Sequence, residues 1–548
     1  MQPYLGYAII LIICVIVSLV AFDKINHKFY PFILYGIAAS MVLMMPLAGH
    51  NLVGTDIHLE WYYNQLHTGG DVVAPVMGIP QGTSIITYLP ASTWVLKIAY
   101  PMIFAFLPVI LFLIFQKWLD EKRAFLASAV FIIFPSFFIE LPFIARQMMA
   151  EVVLGVLLYL LIVSNLKLRH KVLPVIACSV LIPMIHYALW PVLVILATPW
   201  LVASLILKYK NTAKLVAISL VVVAVTGAVY FSFAEDGVVV RKLLRAYYIV
   251  TPSVLSLDTE SVVVYPKIYE QKPAPHKATY EQKPVGQEAT RESPSYLMKF
   301  EPLIRTAIGI DFNRISSLGK IFRVLQLIMM VLIFVGLWKL RKEKHYMVFA
   351  SGAISFLLLC VILPELSGYL NITRVVHITL LLLAPAIAAS MKPRYLLIYL
   401  IPYFIFSSGF IFEVTEQPNI ENINIPYNIA LSNHRIDLGA STTDADLKVS
   451  DYIVEHELYP LYSDVYASYL VVEKIGLRDD INRPLPKGDI PDFSGSYIFF
   501  RSRNIQDSSL VIWNGVGCRF HWNWDHYGFN PEKNIVFQEG DARVIWIP

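Results

Sequence analysis

Residues 147–164 read QMMAEVVLGVLLYLLIVS, and residues 165–171 read NLKLRHK. The first stretch holds a single charge, Glu151, in 18 residues. A helix needs roughly 20 mostly apolar residues to cross the hydrocarbon core of a bilayer. The second stretch supplies Lys167, Arg169 and Lys171 directly after it. An apolar run that stops at a cationic loop reads as a membrane span reaching the cytoplasmic side.

The same pattern recurs along the chain. Apolar runs fall at about 4–22, 30–48, 100–116, 124–141, 147–164, 172–187, 189–207, 214–234, 319–338, 346–363, 375–391 and 394–412. The first lacks a basic start and a small-residue cleavage site, so it reads as a helix rather than a signal peptide. Every second short loop is basic: Lys24 and Lys28; Lys117, Lys122 and Arg123; Lys167 to Lys171; Lys208, Lys210 and Lys214; Lys339 to Lys344; Lys392 and Arg394. The positive-inside rule puts these six loops in the cytoplasm. Three segments then fall outside: a first loop (51–99), a long insertion (235–318) and the tail (413–548).

Composition agrees. Of 548 residues, 57% are hydrophobic and 15% charged, with mean hydropathy +0.59. Soluble domains carry about 25% charged residues, so an ordinary soluble enzyme is excluded. Net charge is only +4, which gives no electrostatic basis for binding nucleic acid. No phosphate-cradling GxxxxGK[ST] loop occurs, which argues against a nucleotide-driven pump. The expectation is an α-helical polytopic membrane protein of about twelve transmembrane helices, residues 1–412, with a C-terminal extracytoplasmic α/β domain, residues 413–548. In that tail, residues 442–458 and 464–475 read as helices. Residues 458–462, 497–500, 510–513, 535–538 and 543–547 read as strands. The insertion includes a Pro-, Lys- and Glu-rich stretch, 267–294, with a short duplication, Tyr269 to Pro273 and Tyr280 to Pro284, and reads as a loop.

Candidate chemistry starts in the first outer loop, at Gly54-Thr-Asp56-Ile-His58-Leu-Glu60-Trp61-Tyr62-Tyr63. In an extended strand the three ionisable residues share one face. In a helix, Asp56 and Glu60 share a face, with Tyr63 and His67 continuing a polar stripe, and His58 points away. A carboxylate here can act as general base, and Asp56, His58 and Glu60 together can hold a divalent cation such as Mg or Mn. The alternative is a solvated face with Asp56 at the helix start. Two arginines, Arg146 and Arg374, break the basic-inside pattern at outer helix ends. A planar guanidinium suits phosphate, which lies at this depth in a bilayer. Each arginine can instead reach lipid headgroups or pair with a nearby acid, Glu151 or Glu365. Glu151, His186 and His377 fall in or near apolar helices. The tail segment His521-Trp-Asn-Trp-Asp525-His526 reads either as a metal or sugar site or as ordinary packing.

These features resemble the GT-C class of glycosyltransferases: many helices, an acidic motif opening the first large outer loop and an extracytoplasmic C-terminal domain. The Gly-Thr-Asp56-Ile-His58-Leu-Glu60 stretch looks in particular like an uncharacterised archaeal-type multi-pass family, with the Arg146-Gln-Met, Arg374-Val-Val-His377 and Pro426-Tyr-Asn segments adding to the likeness. The resemblance implies an integral protein of the cell membrane. It would transfer a sugar from a polyprenyl-phosphate or polyprenyl-diphosphate donor to a glycan, lipid or protein acceptor, with inversion. Asp56 matches the catalytic acid position best, with Glu60 competing. Arg146 and Arg374 would hold the donor phosphate, with His58, Glu151, His186, Glu365, Tyr369 and His377 in support, and Trp61, Tyr62 and Tyr63 would stack on acceptor sugars. The chain departs from the class pattern in two respects: the loop follows the second helix, and it lacks an adjacent Asp-x-Asp pair. Two alternatives are a transporter or flippase for polyprenyl-linked glycans, and a non-catalytic glycan-assembly protein.

Overall fold

The computed structural model describes residues 3–68, 84–89, 92–164, 166–233, 316–363, 372–415, 428–431, 442–476, 482–485, 492–513 and 519–548. The Pro-rich stretch with its duplication, Glu365, Tyr369, Pro426 and Tyr427 lie outside these residues, as do the side chains of His67, His521, Asp525 and His526.

All twelve apolar runs are helical. They form α1 (Pro3–Ala21), α2 (Tyr30–Met44), α4 (Val95–Phe115), α5 (Glu121–Ile132) followed by α6 (Ser136–Phe143), α7 (Ala145–Ile162), α8 (Leu168–Ile185), α9 (Leu189–Ile206), α10 (Lys210–Phe233), α11 (Ser317–Leu340), α12 (Lys344–Ile362), α13 (Ile372–Ser390) and α14 (Pro393–Ser407). A further helix, α3 (Asp56–Thr68), lies in the loop between α2 and α4. Nine of the described helices are long and apolar enough to cross a membrane, so the chain is a polytopic membrane protein. At 15 residues each, α2 and α14 are shorter than a full crossing.

The run at 124–141 is not one straight helix. It breaks between α5 and α6 with a 53° bend. Pro135 stands at the break, and a proline removes a helical N–H donor and disfavours helix in the residue before it. In α8, by contrast, Pro174 and Pro183 are accommodated within a continuous helix.

Packing follows small residues. At Gly336 in α11 an added Cβ would lie 1.7 Å from the Ala386 carbonyl oxygen of α13, so these helices touch backbone to backbone. Close approach at small residues is how membrane helices gain contact where the hydrophobic effect offers little. Trp200 of α9 donates from Nε1 to the Phe349 carbonyl of α12 at 2.8 Å. Large apolar side chains such as Phe334, Trp338 and Ile398 are exposed on the outside of the bundle, as lipid-facing residues should be.

The basic loops converge. Lys122 pairs with Asp23, and Arg394 lies 5.6 Å from the Phe22 ring. His345 meets both Trp118 and Tyr209, and Lys339 donates to the Ser390 carbonyl. These contacts gather five of the six basic loops at one end of the bundle.

The tail forms a separate α/β unit. Its helices are α16 (Asp444–Glu455), α17 (Val465–Ile475) and the short α18 (Ser502–Gln506), after a five-residue turn, α15 (Phe410–Val414). Its strands are β1 (Leu461–Ser463), β2 (Asn482–Pro484), β3 (Ser496–Phe500), β4 (Ser509–Trp513), β5 (Arg519–Asn523), β6 (Ile535–Glu539) and β7 (Ala542–Ile547). Five pair in the order β2-β1-β3-β7-β6, parallel from β2 to β3 and antiparallel beyond, and β4 pairs with β5. The five strands expected from alternation are present, β1 shifted to begin at Leu461. β2 and β5 were not expected: β2 is three residues long and ends in proline, and β5 lies in the segment read as a site.

Buried polar bonds stiffen this unit. Thr443 and Asp446 form a reciprocal capping box at the start of α16. Asp464 caps α17 through the Ala467 N–H at 2.7 Å and also accepts from Arg501 (3.1 Å), Asn504 (2.8 Å) and the Val511 N–H (3.3 Å).

Candidate functional site

The acidic motif lies on a helix, which decides between the two readings of its spacing. Two devices fix where that helix starts. Lys97 of α4 donates all three ammonium protons to the carbonyls of Gly49 (2.8 Å), His50 (2.7 Å) and Asn51 (3.1 Å), pinning the chain that leads into α3. Gly54 adopts φ +118°, and an added Cβ would lie 2.9 Å from the Phe143 ring, so only glycine lets α3 start this close to the turn before α7. Neither Lys97 nor Gly54 was singled out in the sequence. A lysine at the apolar end of the first loop, in Trp94-Val-Leu-Lys97-Ile-Ala99, was the available signal.

Periodicity then separates the three ionisable residues. Asp56 occupies the first helical position, is partly exposed, and forms no ion pair or side-chain hydrogen bond among the described residues. Glu60, one turn on, is buried. Its Oε1 accepts from Arg146 Nε at 2.7 Å and faces the Arg146 N–H at 3.4 Å, and its Oε2 accepts from the Ala145 N–H at 2.9 Å. A carboxylate is thus bonded to the first N–H groups of α7, where the helix dipole favours negative charge. Burial pushes the Glu60 carboxyl above the ordinary carboxylate range, and the Arg146 guanidinium opposes that shift. His58 points away from both carboxylates and meets Glu473 of α17 at 2.5 Å. Among the described residues no three His, Cys, Asp or Glu side chains are grouped to hold a metal ion. Of the aromatic residues, Trp61 packs on the helical core, Tyr62 lies against Gly476 and Tyr63 is buried.

Arg146 has a different partner from the acid the sequence offers, while Glu365, offered for Arg374, lies outside the described residues. Arg146 pairs with Glu60 rather than Glu151. Arg374 lies 3.6 Å from Glu140 of α6, while Thr373 donates to the same carboxylate at 2.8 Å. Glu140 lies on α6 six residues before Arg146, so Arg374 reaches the helix that leads into α7. The Arg146 guanidinium also stands 5.9 Å from the Tyr187 ring centre. His186, next to Tyr187, is buried, and its Nδ1 has no hydrogen-bond partner among the described residues. An imidazole nitrogen in this position can donate a hydrogen bond.

The tail domain lies at this end too. Besides His58–Glu473, Asn51 donates to the Thr442 carbonyl and to Asp444, both at 3.0 Å. Asp56, Arg146, His186 and Arg374 therefore stand at the end that carries the tail domain, opposite the gathered basic loops. Glu151 and His377 lie deeper, bonded to each other. Asn428 is buried beside Met44. No protein-family model matches the chain, and no curated protein is significantly similar to it.

Proposed function

We propose that the protein transfers a sugar from a polyprenyl-phosphate-linked donor to an acceptor on the extracytoplasmic side of the membrane. In this reading the chain crosses the membrane about twelve times in a GT-C-like arrangement, with the basic loops inside and the tail domain outside. The observation that carries it is that Asp56, partly exposed and in no ion pair among the described residues, opens the helix whose Glu60 binds Arg146, while Arg374 lies 3.6 Å from Glu140 on the helix just before Arg146. The donor phosphate would meet Arg146, Arg374 and His186. Charge building on the leaving phosphate is where preorganised cations and hydrogen-bond donors contribute most. Asp56 would take the proton of the acceptor hydroxyl from the aqueous side. Glu60 would hold Arg146 rather than touch the acceptor.

The second reading is a transporter or flippase of polyprenyl-linked glycans. The bent α5–α6 pair favours it, because interrupted helices often line transport sites. Purified protein in nanodiscs, supplied with a radiolabelled isoprenyl-phosphoryl sugar and a glycan acceptor, separates the two. An enzyme yields a labelled acceptor and free isoprenyl phosphate. A transporter moves the intact donor between leaflets of a proteoliposome and yields neither product.

A further inference from the structure

The proposed chemistry leaves a buried ionisable pair between two of the membrane helices unused. Glu151 of α7 and His377 of α13 are fully buried in the membrane part of the bundle. Glu151 Oε2 meets His377 Nε2 at 3.1 Å, and Oε1 accepts from Gln147 at 2.9 Å. The imidazole lies 4.4 Å from the Phe131 ring centre, with Phe134 and Phe137 around it. Intramembrane ionisable groups are costly. Well-packed apolar residues of similar volume often stabilise a buried site as well or better. Packing alone therefore gives no reason for this pair.

What the pair joins does. α7 packs mainly on α4 and α8, whereas α13 packs on α5, α11 and α12. The Glu151–His377 bond ties these two helices directly. One carries Arg146 five residues before Glu151, the other Arg374 three residues before His377. At about 1.5 Å per residue the bond lies roughly 5–8 Å along each helix from its arginine. We propose that Glu151 and His377 form a polar clasp that sets the separation of Arg146 and Arg374, and that both are positioning residues for the anion site. This rests on the reading of that site as phosphate-binding.

The test uses the full chain in nanodiscs, with farnesyl phosphate as the probe and the unfolding midpoint as a control. The variant Glu151→Leu/His377→Leu fills the space with apolar atoms and removes the bond. We expect it to keep an unfolding midpoint close to that of the unaltered protein while probe affinity falls at least tenfold. Glu151→Gln, whose amide can still bond His377, should stay within threefold. A folded double-leucine variant that binds as tightly as the unaltered protein overturns the clasp and leaves the phosphate reading standing. A folded Glu151→Gln variant that loses tenfold also overturns it, because the role would then need charge rather than the bond. An unaltered protein that fails to bind the probe removes the phosphate reading first. Where the double-leucine variant does not fold, Glu151→Met/His377→Met, with its more adaptable side chains, is judged by the same two criteria.

Discussion

Glu60 binds both the side chain of Arg146 and the start of the helix that carries it: Oε1 lies 2.7 Å from Nε, and Oε2 lies 2.9 Å from the Ala145 N–H. One carboxylate from the loop between α2 and α4 thus fixes a membrane helix and aims its guanidinium.

Removing that carboxylate takes its closest acceptor away from a buried cation and from two buried N–H groups. Breaking one side of a buried ion pair costs about 3–5 kcal/mol. Glu60→Ala should lower the unfolding midpoint in detergent far more than Asp56→Ala, which breaks no bond among the described residues. Thermal unfolding of both variants, followed by tryptophan fluorescence, checks the order.

Asp56→Asn should leave fold and donor binding intact and slow sugar transfer by about 100-fold or more, the usual contribution of a general base. Arg374→Ala should instead weaken donor binding. Initial transfer rates, with an independent binding measurement on each variant, make the comparison. A variant lacking the Asp56 carboxylate that transfers at full rate removes Asp56 as the base.

The bond between His58 and Glu473 links α3 to the tail domain across 415 positions. A bond of this kind, to a charged group, contributes about 1.5–3 kcal/mol. His58→Ala and Glu473→Ala should therefore be non-additive in a double-mutant cycle. Either change should also speed proteolytic release of the tail domain. Equal proteolysis rates in the variants and the unaltered protein would mean that the packing of Tyr62 on Gly476 suffices.

The tail domain should lose stability in acid through Asp464. Burial raises its pKa, but Arg501, the Ala467 N–H and Asn504 outweigh that and hold it below the ordinary carboxylate value. With a depressed folded value, its contribution is fully present above about pH 4, the unfolded value, and is lost as pH falls through the folded one. Asp464→Asn should flatten that limb in a pH series of denaturant unfolding curves read from the tail tryptophans. It should also lower stability at pH 7, because it removes the buried carboxylate charge that accepts from Arg501.

Gly336 has no room for even a methyl group, given the 1.7 Å approach to the Ala386 carbonyl oxygen. Gly336→Ala forces α11 and α13 apart, and overpacking of this sort costs about 1–3 kcal/mol. A lower unfolding midpoint in detergent is expected, and a larger drop for Gly336→Val.

The apolar runs were legible because a bilayer imposes a single demand, backbone bonds satisfied within each segment over a fixed thickness, and composition alone meets it. The two tail helices were legible for a similar local reason, since Thr443 and Asp464 satisfy N–H groups only three residues away. The break after α5 was less so: Pro135 breaks its helix while Pro174 and Pro183 do not, and neighbours decide which carbonyls can be re-satisfied.

The acidic motif shows the boundary most clearly. By itself the sequence determined that three ionisable residues open the loop after the second apolar run and that two arginines stand at helix ends away from the basic loops. Only the tertiary structure decided that Glu60 turns inward to Arg146, that His58 turns to Glu473 some 400 residues away, and that Asp56 is left uncommitted. Spacing fixes directions around one helix axis, while the partner waiting in each direction comes from chain far away, so no local pattern can encode it.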